Sequence, residues 1–153
     1  MSRRSFCICL LILVMSLILT ACGKERDVET FSLAVETGDV FEIGVDVSRG
    51  LSAELDGSGI LYFTDAQGIT GGYLMFMTME QVDSMYRQFR SEMVGKTIGE
   101  HEVEYFYAVL GDIPSAVAYQ RIGNTGVAVV SGFSDVAIER ILENISIKLS
   151  ETS

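Results

Sequence analysis

Apolar residues recur at every second position over much of the chain. Phe31, Leu33 and Val35 alternate with polar neighbours, as do Phe41, Ile43, Val45 and Val47, and then Leu51, Ala53 and Leu55. A period of two places alternate side chains on one face, so these runs predict half-buried β-strands with Glu42 and Asp46 on the wet side. The breaks at Thr37-Gly38-Asp39, Ser48-Arg49-Gly50 and Asp56-Gly57-Ser58-Gly59 carry the residue types of tight turns. Two further strands follow over residues 60–64 and 69–78, and Gly71-Gly72 predicts a bulge in the fifth. Five strands in succession predict antiparallel pairing.

The period then changes. Val82, Met85, Tyr86, Phe89 and Met93 form one stripe of a helix over residues 78–95. Thr78 followed by Gln81 predicts a capping box, and Gly95 a stop. Strands resume over residues 103–110, 116–122 and 127–131, with Gly123-Asn124-Thr125-Gly126 predicting a hairpin between the last two. Ser134 or Asp135 then caps a final helix with Ile138, Ile141, Leu142 and Ile145 inward. The expected fold class is α+β: an antiparallel sheet of about seven to eight strands with a central and a C-terminal helix, on one face or on both. That order of elements resembles the Mog1/PsbP-like domains of small extracytoplasmic proteins. The likeness is architectural and brings no site residues with it.

The first residues follow neither period. Arg3 and Arg4 precede an apolar run from Phe6 to Leu19, and the small residues Thr20 and Ala21 lead to Cys22. A positive start, a greasy core and small residues before a cut is the layout of a secretory signal. As a helix, the 16 residues from Phe6 to Ala21 would reach roughly 24 Å, short of a hydrocarbon core of about 30 Å. Leu19-Thr20-Ala21-Cys22 resembles the lipobox of bacterial lipoproteins. The resemblance implies that the Cys22 thiol receives a diacylglycerol, that the chain is cut before it, and that the mature protein is held at the extracytoplasmic face of a cell membrane. Acyl chains on one residue then supply a stable anchor, at about 0.8 kcal/mol per buried methylene. The expected organisation is a signal peptide over 1–21, a lipidated N-terminus and tether over 22–30, and a single α+β domain over 31–153.

Composition narrows the function. Cys7 and Cys9 fall in the signal and Cys22 is the lipidation site, so no thiol remains for a disulfide, a zinc site or a nucleophile. Arg3 and Arg4 are the only charges before Cys22, leaving nine Lys and Arg against 21 acids in the rest, a net −12. Such a surface repels nucleic-acid phosphates and anionic headgroups and suits cationic partners.

Candidate chemistry is sparse. Glu100, His101 and Glu102 are weak metal-ligand candidates, because along a strand Glu100, Glu102 and Glu104 share one face while His101, the only histidine, points away. Asp56-Gly57-Ser58-Gly59 lacks the spaced donors of a calcium loop and predicts a turn. Tyr73, Met75 and Met77 share one face of the fifth strand and, with Tyr105 and Tyr107, make a candidate ligand or partner patch. No cofactor is implied. The expectation is a non-catalytic binding or accessory module anchored in the bilayer through the Cys22 diacylglycerol and meeting a protein partner. The alternatives are an immunity-type lipoprotein sequestering cationic peptides, and a domain binding a small ligand or divalent cation.

Overall fold

The computed structural model describes residues 26–66, 71–132 and 135–150. In chain order the elements are β1 (Val28–Ala34), β2 (Val40–Asp46), a 3-10 turn (Val47–Arg49), β3 (Leu51–Leu55), β4 (Leu61–Asp65), β5 (Gly72–Met77), α1 (Met79–Phe89), β6 (Val94–Ile98), β7 (His101–Leu110), β8 (Ile113–Ile122), β9 (Thr125–Ser131), α2 (Asp135–Glu143) and β10 (Ile145–Leu149). They build an antiparallel seven-stranded sheet, ordered β3-β4-β5-β9-β8-β7-β6, and a three-stranded sheet, ordered β1-β2-β10. The fold is α+β, with a large antiparallel sheet, a central helix and a C-terminal helix.

The run of five strands divides after the second. Asp46 caps the 3-10 turn by accepting from the Ser48 N–H at 3.1 Å, and Gly50 follows at φ 81°. The chain thus leaves the small sheet and opens β3 at the edge of the large one. The small sheet and α2 both pack on one face of the large sheet. Phe41, Ile43 and Val45 of β2 meet Leu61 and Phe63 of β4, Leu74 of β5, Val127 and Val129 of β9, and Ile138, Ile141 and Leu142 of α2. Most of these side chains are wholly buried, each contributing roughly 1.5–3 kcal/mol of transfer free energy.

The opposite face is covered by α1. Thr78 and Gln81 form the predicted capping box: the Gln81 side chain accepts from the Thr78 N–H at 2.8 Å, and Thr78 Oγ1 accepts from the Gln81 N–H at 3.4 Å. Val82 is buried against Met77, Val117, Tyr119 and Ala128, while Met85, Tyr86 and Phe89 are half-buried around them. Two glycines permit the close approach. A Cβ on Gly126 would overlap Val82 of α1, and one on Gly72 would strike Ile141 of α2.

Several boundaries differ from the periodic reading. β1 begins at Val28, so residues 28–30, expected to be tether, form strand. They pair with Asp46, Val45 and Gly44, and the Val47 N–H donates to the Asp27 carbonyl. The central helix stops at Phe89, and Gly95 lies inside β6 rather than ending the helix. Met93 still packs beneath α1 although it lies outside the helix. Ile145 is buried as expected but opens β10, because Asn144 ends the helix and the chain turns to pair with β2. Gly71-Gly72 stands at the start of β5, where Gly72 makes room for Ile141, rather than in a bulge. The predicted hairpin is present, Ile122 facing Thr125 across Gly123-Asn124 with Gly123 at φ 61°.

Candidate binding groove

The ladder between β4 and β5 is short. It pairs Phe63 with Gly72, Tyr62 with Tyr73 and Leu61 with Leu74, and there it stops. β5 runs on through Met75, Phe76 and Met77, which among the described residues pair with β9 on the other side only. β4 does not continue the ladder because the chain before Leu61 is folded into a self-contained turn. The Asp56 carboxylate accepts from the Ile60 N–H at 2.8 Å and from the Ser58 N–H and hydroxyl at 2.9 and 2.8 Å. These donors, the Ile60 N–H first, hold that carboxyl below its usual range.

A groove of about 650 Å³ opens beside the unpaired stretch. Leu74, Met75 and Phe76 form one wall and Ile60 another, while Leu33 and Val35 approach from the small sheet. Among the described residues of the lining, Glu36 is the only carboxylate or cation, and it is exposed. Phe76 is held from behind by Phe41, ring centroids 5.1 Å apart.

Tyr62 and Tyr73 stand opposite each other across the middle of the three rungs, centroids 6.0 Å apart. They also border a second hollow of about 480 Å³ on the α1 face, floored by Val130 and flanked by Leu110 and Ile113. Burial, and then the neighbouring Tyr62, push the Tyr73 phenol above its ordinary value. The tyrosine pair is thus a partition between two apolar hollows.

The structure divides the expected tyrosine-methionine patch. Tyr73 and Met75 line the groove half-buried, and Met77 is core beneath α1 at 6% exposure. Tyr105 and Tyr107 lie on the other face of the large sheet, and both are engaged by the first turn of α2. Their hydroxyls donate to the two oxygens of Asp135, at 2.7 Å from Tyr105 and 2.5 Å from Tyr107. The Lys96 ammonium sits 4.0 Å from the centre of the Tyr105 ring. The Tyr107 and Tyr105 bonds lower the Asp135 carboxyl below its usual range. Tyr105 is raised by burial and then by its bond to Asp135, and Tyr107 first by its own bond to Asp135. A residue that clamps a helix to a sheet in this way is placed for docking α2.

His101 is buried between the sheets, at 5% exposure. Its Nε2 lies 3.0 Å from the Ile145 carbonyl and its Nδ1 3.2 Å from Gln120 Nε2. A carbonyl only accepts, so Nε2 carries the hydrogen and Nδ1 accepts from the Gln120 amide. Glu100 sits in the turn before β7 and Glu102 is exposed on the far side of the strand. Glu104 accepts from the Tyr86 hydroxyl, tying α1 to β7. Among the described residues no three His, Cys, Asp or Glu side chains are grouped so as to hold a metal ion.

Leu19 to Cys22, and with them the lipobox, lie outside the described residues. Among the described residues no helix is long and apolar enough to cross a membrane. The periodic reading missed Tyr62, Ile60, Phe76 and Glu36 as groove residues, and Asp135 as the partner of both tyrosines. The signal for Tyr62 was the alternation of β4, which puts it on the face of Tyr73 once the two strands pair. Comparison with protein-family models, curated proteins and solved structures finds no match to this chain.

Proposed function

We propose that this chain is a lipid-anchored extracytoplasmic domain of a bacterial cell membrane, acting as a non-catalytic binding module whose binding surface is the groove beside β5. One observation carries the binding half: apolar side chains line an open groove along a strand that, among the described residues, has no partner on that side. The side chains best suited to chemistry support the same reading. His101 has both ring nitrogens engaged, and Tyr105 and Tyr107 are bonded to Asp135, none of them lining the groove.

The address rests on the lipobox resemblance of Leu19 to Cys22. With β1 starting at Val28, a Cys22 anchor leaves five residues to span, at most roughly 18 Å when extended. The domain would then ride on the headgroup layer. Labelling cells that express the chain with radioactive palmitate tests the address. The wild type is expected to incorporate label and fractionate with membranes, and Cys22→Ser to lose both. Equal labelling of the two overturns the anchor.

A further inference from the structure

We infer that the groove takes an extended peptide carrying a basic side chain, added as a strand to the free edge of β5. The inference rests on the binding-module reading and names the occupant of its site. In an antiparallel strand each residue directs its N–H and C=O to the same side, and successive residues alternate. Of Met75, Phe76 and Met77, at least one therefore points both groups at the vacant β4 side. Only a ligand with its own evenly spaced donors and acceptors, which is to say another extended backbone, matches such an edge.

The groove differs from the other strand edges of the molecule. β3 and β6 end the large sheet, and of their residues only Leu51 and Ile98 are buried. β1 and β10 end the small sheet, and of their residues only Leu33 and Ile145 are buried. An added strand there would gain hydrogen bonds but little burial. At β5 the same bonds come beside a groove that Leu33, Val35, Ile60 and Phe76 help to line, so side chains of the incoming peptide gain apolar contact as well. Glu36 at the rim supplies the charge preference. It has no ion-pair partner among the described residues, and the chain after Cys22 carries a net −12.

The test is a selection of phage-displayed random decapeptides on the full-length chain in detergent micelles, followed by synthesis of the enriched sequences. The expected winners alternate apolar residues and carry at least one Lys or Arg. Methylating the backbone nitrogens that pair with β5 is expected to weaken binding at least tenfold, while methylating the alternate ones leaves it unchanged. Glu36→Lys, at an exposed position that leaves the fold intact, is expected to weaken it several-fold. No enrichment, equal tolerance of both methylation patterns, or indifference to Glu36→Lys overturns the inference. So does protection of Met75 to Met77 against hydrogen exchange that grows with protein concentration, which would assign the groove to a second copy of the chain. None of these results bears on palmitate labelling, so the anchor stands or falls separately.

Discussion

The two faces of the seven-stranded sheet are closed in different ways. One carries α2 and a whole second sheet, and the buried side chains there are mostly Phe, Leu, Ile and Val, with Phe31, Val35, Val47, Ala53, Phe76, Ile122 and Ile147 partly buried around them. The other carries the 11-residue helix α1; its buried centre includes Met77, Val82, Val117 and Val130, and around it Tyr73, Met75, Met79, Met85, Tyr86, Phe89, Met93 and Leu110 are only partly buried. Branched aliphatic side chains have few rotamers and specify one packing, whereas methionine adapts to its surroundings. The first face holds the fold together. The second, richer in methionine, is expected to tolerate rearrangement more readily, and the gap beside β5 lies where the two faces meet, lined by Leu33, Leu74 and Phe76 from the first and Tyr73 and Met75 from the second.

Truncating the closed face should have the largest effect. Ile138→Ala, at a site with 0% exposure, is expected to lower the unfolding free energy by about 2–5 kcal/mol, and Met85→Ala on the α1 face by about 1 kcal/mol. Urea denaturation of both variants checks this. Equal losses would remove the distinction between the faces.

Next come the glycines beneath the helices. Gly126→Ala pushes against Val82 and Tyr119, and Gly72→Ala against Ile141. Each is expected to cost about 1–3 kcal/mol. The Gly126 variant should loosen α1 alone, seen as faster hydrogen exchange over residues 79–89 with α2 unchanged. Faster exchange in both helices would show that the two faces are coupled.

A smaller effect is expected at the clamp on α2. Tyr105→Phe removes a buried donor to a carboxylate and should cost about 1–2 kcal/mol; Tyr107→Phe, at 57% exposure, should cost less. The pH dependence follows from the shifts. Asp135 is depressed in the folded state, so its share is present above the ordinary carboxyl value of 3.8 and is lost as pH falls through the depressed one. The raised tyrosines require their protons, so their share is present below 10.0 and is lost as pH rises through the folded values. The stability difference between wild type and Tyr105→Phe should therefore be flat across neutral pH and shrink at both extremes. A difference that persists unchanged into strong acid would mean that the hydroxyl acts through packing rather than through Asp135.

Much of this contrast was legible from residue order. The alternating runs became strands, Thr78 and Gln81 capped the helix as their spacing required, and Gly123-Asn124 turned the hairpin. Local pattern could not show β6, whose Val94-Gly95-Lys96-Thr97-Ile98 is exposed over four of five residues and so has no apolar face to read. Nor could it show that the chain changes sheets at Asp46 to Gly50, because that depends on which partner each strand finds. Tyr73 and Met75 were visible as groove residues because they share a strand face. Glu36 and Ile60 were not, since they reach the groove through two turns whose meeting is a tertiary event. Tyr105 and Tyr107 looked equivalent to Tyr73, and only the placement of Asp135 separates them.

Hydrogen exchange along β5, measured on the full-length chain with and without a selected peptide, tests the central claim most directly. Leu74, paired on both sides, should be protected in either sample. At least one amide among Met75, Phe76 and Met77 should exchange rapidly in the free chain, despite lying in a strand inside the sheet, and become protected when peptide is added. Protection equal to that of Leu74 in the free chain, or no change on adding peptide, would contradict an open edge at β5.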